Sequence, residues 1–125
     1  MAETKKILVI DDEAGIRRLL ASILSKAGYE THMASDGKEA MSLVKEESFD
    51  LAILDIFMPA PNGLEVFEFL KNAFPKLKVI IMSGISAYNE RFFEFVIGNT
   101  AEAVIEKPLR AAPLRKLVAS VLAPA

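Results

Sequence analysis

The feature of this sequence that most constrains its fold is a regular alternation of short apolar runs with longer helical patterns. The runs are rich in β-branched and aliphatic residues and are too short for helices; they are Ile7–Ile10, Tyr29–Met33, Leu51–Leu54, Val79–Met82 and Ala103–Ile105. Strands that alternate with helices in this way predict an α/β domain with a mostly parallel sheet. Right-handed crossovers between parallel strands then place helices on both faces of that sheet.

The segments between these runs carry the spacing of amphipathic helices. After the first run, apolar residues recur on one helix face; they are Ile16, Leu19, Leu20, Ile23, Leu24 and Ala27. Gly28 stands where a glycine is expected to end that helix. Two further helix starts are marked by a capping residue with glutamate three positions later; the pairs are Asp36 with Glu39 and Asn62 with Glu65.

Size and composition restrict the functions that the chain can have. Its 125 residues are 52% hydrophobic and 26% charged, which suits one domain, 1–125, whose sheet is buried on both faces. The net charge of −2 and the pI of about 5.5 argue against nucleic acid as a direct partner. The absence of cysteine excludes disulfides and thiol nucleophiles. No segment approaches a membrane span, so we expect a cytoplasmic protein without a membrane partner.

Polar and charged residues stand directly after four of the five predicted strands. They are Asp11, Asp12 and Glu13 after the first, Asp55 after the third, Ser83 after the fourth, and Glu106 and Lys107 after the fifth. The carboxyl ends of parallel strands share one edge, where ligands bind at the reversal of strand order, so we expect these side chains on one rim. Each has a structural alternative, such as a helix cap for Asp12 or a turn for Asp55. A structural role could explain the polar residues at any one strand end. It is a much weaker explanation for suitable residues at four strand ends on the same rim.

The residue types on this rim suit phosphoryl transfer. Clustered carboxylates repel one another, and a hard cation such as Mg²⁺ relieves the repulsion. A carboxylate is also a nucleophile toward phosphorus and forms an aspartyl phosphate. Phosphoryl transfer requires mainly positioning and charge neutralisation, and Lys107 and Ser83 offer a cation and a hydroxyl to phosphoryl oxygens.

As a set, these segments resemble the receiver domain of bacterial response regulators. The stretches ILVIDDEAGIRRLL, DIFMPAPNGLEVF, VIIMSG and VIEKPL stand in the family's order and at nearly its spacings, and the match covers essentially the whole chain. The resemblance implies a flavodoxin-like three-layer sandwich with a five-stranded parallel sheet in the order 2-1-3-4-5. It also implies Mg²⁺-dependent phosphorylation by a sensor histidine kinase or a phosphotransfer protein in a two-component phosphorelay.

The resemblance also assigns roles to individual residues of the rim. Asp55 is similar to the phosphoacceptor and Asp12 to a direct Mg²⁺ ligand, while Asp11 corresponds to a residue that holds the ion through water. The resemblance further implies that the backbone carbonyl of Phe57 completes the protein contacts of the metal. Phe57 and Ile85 occupy positions that tune hydrolysis in the family; both are apolar, so we expect slow self-dephosphorylation.

Three further positions concern the phosphoryl group and the switch. Ser83 resembles the switch hydroxyl and Lys107 the phosphate-binding cation, and the Lys107–Pro108 bond corresponds to one that is cis in the family. Val104 stands where the family usually has a tyrosine or phenylalanine that follows the hydroxyl inward. Because valine cannot make that movement, we expect a different coupling between the hydroxyl and the output surface.

The output implied by the resemblance is altered protein binding through the face of the predicted fourth helix, fifth strand and fifth helix. The predicted fourth helix, 88–97, is apolar nearly all round, and Phe93 and Ile97 form a second apolar stripe. Deeper burial of this helix and an interface for a downstream protein or a homodimer are both consistent with that stripe.

Two other functions compete with the signalling hypothesis. A Mg²⁺-dependent phosphohydrolase would use the same aspartyl phosphate, but hydrolases of the haloacid-dehalogenase type carry a second aspartate where this chain has Phe57. A nucleotide-binding module would need a Walker loop or a G-x-G-x-x-G turn, and neither follows a strand. We therefore expect a chain that catalyses only its own phosphoryl transfer and dephosphorylation.

Overall fold

The fold is a parallel sheet with helices packed on it, in a computed structural model that describes residues 3–59, 62–83 and 101–124. The strands are β1 (Lys6–Ile10), β2 (Glu30–Ala34), β3 (Leu51–Asp55), β4 (Lys78–Ser83) and β5 (Ala103–Glu106). The helices are α1 (Ala14–Lys26), α2 (Gly37–Glu46), α3 (Gly63–Ala73) and a C-terminal helix (Ala111–Leu122). The predicted helix 88–97 and its stripe of Phe93 and Ile97 lie outside the described residues.

The sheet has the order β2-β1-β3-β4-β5, and each neighbouring pair is parallel. The predicted fold class and strand order are therefore confirmed. Each strand is shifted or extended by a residue or two from its predicted run, because the backbone ladder continues past the apolar residues. None of the helices in the described part of the chain is both long and apolar enough to cross a membrane.

Two apolar clusters divide the core between the two faces of the sheet. One cluster joins alternate strand residues to α2 and α3; its members include Leu8, Ile10, Leu54, Ile81 and Phe67. The other joins the intervening strand residues to α1 and the C-terminal helix; its members include Val9, Ile53, Met82, Leu24 and Val118. Residues on both faces of β1, β3 and β4 are buried, which explains why these strands read as unbroken apolar runs.

The predicted capping residues begin their helices as expected. The side chain of Asp36 accepts a hydrogen bond from the Glu39 N–H at 2.8 Å, and that of Asn62 accepts one from the Glu65 N–H at 3.0 Å. In a capping box the glutamate accepts a hydrogen bond in return from the N–H of the capping residue. In the first pair the Glu39 carboxylate accepts instead from the N–H of the preceding residue, Ser35, at 2.9 Å. These bonds satisfy backbone donors that the first helical turn leaves unpaired.

Two glycines are required by the geometry of the backbone. Gly28 follows Ala27, the residue that caps the end of α1, and has a φ of 97°, a left-handed conformation that favours glycine and ends the helix. Gly63 begins α3 against the backbone of Ile56, and a Cβ there would overlap the Cα, C and O atoms of Ile56. The start of α3 therefore packs directly on the segment that follows β3.

We predict that Gly63→Ala destabilises the protein by about 1–3 kcal/mol, because the backbone of Ile56 must move to accept the methyl group. Gly15→Ala is the matched control: Gly15 lies in α1, and nothing lies within 4 Å of an added Cβ. There we expect a gain of up to about 1 kcal/mol from helix propensity. Urea unfolding of both variants checks the difference, and equal effects would contradict the close packing at Gly63.

Candidate functional site

The site is built by strands that end level with one another at the carboxyl edge of the sheet. The ladder runs one residue past β1 and β5, since the Asp11 N–H bonds the Ala34 carbonyl at 3.2 Å and the Lys107 N–H bonds the Ser83 carbonyl at 2.8 Å. Strand side chains alternate between faces, so Asp11, Asp55 and Lys107 continue the rows that pack toward α1 and the C-terminal helix. Strand alternation thus delivers two carboxylates and an ammonium to the same place.

Three carboxylates converge where the strand order reverses, between the ends of β1 and β3. Asp11, Asp12 and Asp55 each place one carboxylate oxygen within 4.8 Å of the others. Asp11 is 0% exposed and Asp55 is 3% exposed, whereas Asp12 is exposed. The three predicted acidic residues are therefore brought together, with two of them buried and one facing solvent.

Lys107 is the cation nearest to these carboxylates among the described residues. Its Nζ lies 2.9 Å from Asp11 Oδ2 and 3.5 Å from Glu13 Oε1, and it donates a hydrogen bond of 3.4 Å to Asp55 Oδ2. Its side chain is only 14% exposed. One ammonium group thus faces the two buried aspartates, which leaves an excess of negative charge on the rim.

Backbone groups hold the buried carboxylates in place. The Phe57 N–H donates to Asp55 Oδ1 at 2.9 Å, and the Glu13 N–H donates to Asp11 Oδ1 at 2.9 Å. Arg17 Nη1 donates to the Asp11 carbonyl at 2.8 Å and so fixes the backbone from the side of α1. The bond from the Phe57 N–H to Asp55 is the kind that forms a turn, which is the structural role that the sequence also allows for this residue. Asp55 therefore both forms a turn and lies on the acidic rim.

The electrostatics of the site favour a bound cation. Burial raises the pKa of Asp55 above its ordinary value of 3.8, and the Asp11 carboxylate raises it further, against the opposing effects of the Phe57 N–H and Lys107. Burial alone would lower the pKa of Lys107, but the Asp11 and Asp55 carboxylates outweigh burial and raise the pKa above 10.5. The surroundings thus disfavour the ionised form of Asp55 while they hold Lys107 in its charged form.

The donor set fits Mg²⁺. Among the described residues, Asp11 Oδ2 is buried without a hydrogen bond and has only the ion-pair contact with Lys107 Nζ at 2.9 Å. Such an atom needs a further cationic or polar partner. Magnesium prefers oxygen ligands, takes one or two carboxylates directly and keeps several waters. A buried pair of carboxylates beside the exposed Asp12 provides those ligands and an open side for water.

The other predicted site residues are placed as follows. Ser83 ends β4 and is 0% exposed, and the Lys107–Pro108 peptide bond is cis, as expected from the resemblance. Val104 packs against the apolar cluster of α2 and α3, on the face away from Lys107. The side chain of Phe57 is 45% exposed beside Asp55. Ile85 lies outside the described residues.

Two contacts of the site are not predicted by the sequence pattern. The sequence places Glu13 on the rim or at the start of a helix, but it does not predict that Glu13 lies 3.5 Å from Lys107 Nζ. Arg17 bonds the Asp11 carbonyl, although in the sequence it is one of two arginines on the polar face of α1. Nothing in the sequence distinguishes Arg17 from Arg18, because the direction in which α1 leaves the sheet decides which arginine turns back toward β1.

The fold and the acidic rim define an α/β domain with a candidate metal and phosphoryl site at its topological switch point. A family model described as the response regulator receiver domain matches residues 7–119. The chain therefore belongs to the response regulator receiver domain family. These domains take part in two-component signalling and are phosphorylated on an aspartate.

Individual relatives agree with this family membership. The chain is 38% identical over 120 residues to the probable transcriptional regulator ycf27 of Porphyridium aerugineum, covering 96% of this chain and 49% of that protein. It is 40% identical over 86 residues to sporulation initiation phosphotransferase F of Bacillus subtilis, covering 69% of this chain and 67% of that one. The chain thus spans about half the length of the ycf27 relative.

A similar solved structure comes from Thermotoga maritima. It is the response regulator protein TrrA in complex with Mg(2+)-BeF, which superposes with a TM-score of 0.84 at 34% identity. The match covers 95% of this chain and all of TrrA.

We predict that Mg²⁺ stabilises the wild-type chain at neutral pH, by about 1.4 kcal/mol when free Mg²⁺ is about ten times its Kd. Asp55→Asn should lose most of this increment, because it removes one of the converging carboxylates. Asp36→Asn, which keeps a good helix cap, is the control and should retain the increment. Thermal unfolding with and without Mg²⁺ measures it; an equal loss in both variants would argue against binding at the rim.

Proposed function

We propose that this chain is a signalling switch that accepts a phosphoryl group on Asp55 from a sensor histidine kinase or a phosphotransfer protein. The observation that carries the proposal is the convergence of Asp11, Asp12 and Asp55 within 4.8 Å beside the Lys107 ammonium. Lys107 contacts both Asp11 and Asp55, and of these two Asp55 is the one at the end of the central strand β3. Asp55 is therefore the nucleophile that a phosphodonor at this rim would meet.

The proposed step is an in-line displacement at phosphorus. A carboxylate oxygen of Asp55 forms the new O–P bond, the bond from phosphorus to the donor atom breaks, and the donor leaves with that electron pair. Asp55 Oδ1 is held by the Phe57 N–H, and Oδ2 faces Lys107. Lys107 is placed to neutralise a phosphoryl oxygen after transfer, and Ser83 at the end of β4 is the proposed switch hydroxyl.

We propose that Asp11, Asp12, Asp55 and the Phe57 carbonyl hold Mg²⁺. The bound ion would supply positive charge to the phosphoryl oxygens and relieve repulsion among the carboxylates. Asp12, being exposed, is the ligand that solvent and a phosphodonor reach first, while the buried Asp11 is fixed by the Glu13 N–H.

The proposed output is altered binding of a downstream protein, or of a second copy of the chain, at the face that includes β5 and the C-terminal helix. Ser83 and Lys107 are joined by a backbone hydrogen bond between β4 and β5, so a change at the site acts directly on β5. Val104 lies in the middle of β5 and takes the place of the family's mobile aromatic residue. We further propose that residues 1–125 form one receiver domain and that this domain acts in the cytoplasm.

A phosphohydrolase is the competing assignment. It would need a second acid or base near the aspartyl phosphate to turn over unrelated esters, and the position two residues after Asp55 is the apolar Phe57. We therefore propose that the chain is not a general enzyme and that its chemistry is limited to its own phosphorylation and dephosphorylation.

We predict that the chain gains one phosphoryl group when it is incubated with Mg²⁺ and acetyl phosphate. Intact mass spectrometry measures the gain, which should disappear when Mg²⁺ is chelated. Asp55→Asn should abolish the gain, whereas Asp36→Asn, a carboxylate removed at an exposed helix cap, should leave it unchanged. Phosphorylation of Asp55→Asn to the wild-type level would refute Asp55 as the acceptor, and sustained turnover of unrelated phosphate esters would favour the hydrolase.

We predict that Phe57→Asn shortens the lifetime of the phosphorylated chain. An amide beside Asp55 is able to orient a water toward phosphorus, which the phenyl ring cannot do. Met33→Asn is a matched control, because Met33 is 44% exposed and Phe57 is 45% exposed, but Met33 lies on the edge strand β2. Loss of the phosphoryl group is followed by intact mass after the donor is removed. A lifetime unchanged or lengthened by Phe57→Asn would contradict the role of Phe57.

A further inference from the structure

A groove of about 590 Å³ lies at the amino-terminal edge of the sheet, at the opposite end of the strands from the acidic rim. It is bounded by the ends of α2, α3 and the C-terminal helix and by the segments that lead into β1, β3 and β4. Its lining residues include Val44, Phe49, Phe74, Leu77, Lys5 and Lys76. This volume falls in the range of small-molecule sites, and no part of the proposed phosphorylation chemistry uses the groove.

Two aromatic residues of the groove, Phe49 and Phe74, are held by contacts with neighbouring side chains. The ring of Phe49 meets the ring of His32 edge-on with centroids 5.5 Å apart, and Lys6 Nζ lies 5.4 Å from the Phe49 centroid. Phe74 packs edge-on against Phe69 with centroids 6.3 Å apart. Both rings are thus fixed by neighbouring side chains before any ligand arrives, and with Val44 and Leu77 they contribute the apolar part of the lining.

The acidic residues of the groove already have cationic or polar partners. Glu47 Oε1 accepts a 2.8 Å hydrogen bond from Lys6 Nζ, and Asp50 Oδ2 accepts a 2.8 Å bond from the Lys6 backbone N–H. The inner lysine, Lys78, is also engaged, since its Nζ donates to the Val121 carbonyl at 2.7 Å. Lys6 thus neutralises Glu47, while Asp50 keeps its negative charge and Lys78 its positive charge, so these two lining residues cancel in the net charge of the groove.

The two remaining lysines of the groove differ from these groups. Lys5 and Lys76 are exposed, and neither has an ion-pair partner within 3–59, 62–83 and 101–124. Since Glu47 is paired with Lys6 and the charges of Asp50 and Lys78 cancel, these two ammonium groups leave the groove with a net positive charge. A ligand that is complementary to such a groove has an apolar part and an anionic group.

We propose that this groove binds a small aromatic carboxylate, with its ring against the lining that includes Phe49 and Phe74 and its carboxylate at Lys5 and Lys76. The site is separate from Asp55 and does not depend on phosphorylation. Its binding energy comes from apolar contact, and the two lysines select the charge of the ligand, because exposed ion pairs add little affinity each.

The test titrates the chain, without phosphodonor or metal, with 1-naphthylacetate and follows backbone amide shifts by NMR. We expect saturable shifts confined to 48–50 and 73–78 and to Lys5. The charge-reversed probe, 1-naphthylmethylammonium, should bind at least about five-fold more weakly. Absence of saturable binding, shifts spread over the surface, or equal affinity for the two probes would overturn the proposal.

Two pairs of variants separate charge from shape. The first pair tests charge. The double variant Lys5→Gln/Lys76→Gln should bind 1-naphthylacetate about five-fold more weakly. The control double variant Lys38→Gln/Lys116→Gln removes exposed lysines away from the groove and should keep the wild-type affinity.

The second pair tests shape. Ala73→Phe fills the groove and should also weaken the binding of 1-naphthylacetate. Asn72→Phe changes an exposed neighbour that does not line the groove and should keep the wild-type affinity. Equal effects of a variant and its control would overturn the assignment, and they would leave phosphorylation of Asp55 untouched.

Discussion

The structure depends on one electrostatic constraint: two buried carboxylates, Asp11 and Asp55, lie at neighbouring strand ends and share a single ammonium group. Lys107 is 2.9 Å from one and 3.4 Å from the other, and the pKa of Asp55 is raised by burial and by Asp11 despite that contact. Buried charges are costly unless they are paired. The rim is thus the place where the proposed cation would lower the free energy of the folded chain.

The sheet explains why this unfavourable arrangement persists. β1, β3 and β4 are buried on both faces, and their apolar side chains fix the register that brings Asp11 level with Asp55. A shift of one residue would move every apolar side chain to the wrong cluster. Burial of the strands therefore stabilises the site indirectly, and the close contact of Gly63 with Ile56 holds the loop that follows the central carboxylate.

Much of this arrangement is predictable from the sequence, and the reasons are physical. The β-branched runs and the rule that parallel strands share a carboxyl edge place Asp11, Asp55 and Lys107 together before any coordinates are known. The sequence does not predict the contact of Arg17 with the Asp11 carbonyl or the groove whose lining includes Phe49 and Phe74. Both depend on the angles at which helices leave the sheet, and periodicity determines only which face of a helix is apolar.

The most direct test of the account locates the bound cation. With Mn²⁺ as a paramagnetic substitute for Mg²⁺, the account predicts that amide signals broaden first at 11–13, 55–57 and Lys107, and that excess Mg²⁺ reverses the broadening. The amides at the amino-terminal edge of the sheet, such as 48–50, should remain sharp. Broadening centred on exposed acids such as Glu46, with the amides of Asp11 and Asp55 unaffected, would contradict a shared cation at the rim.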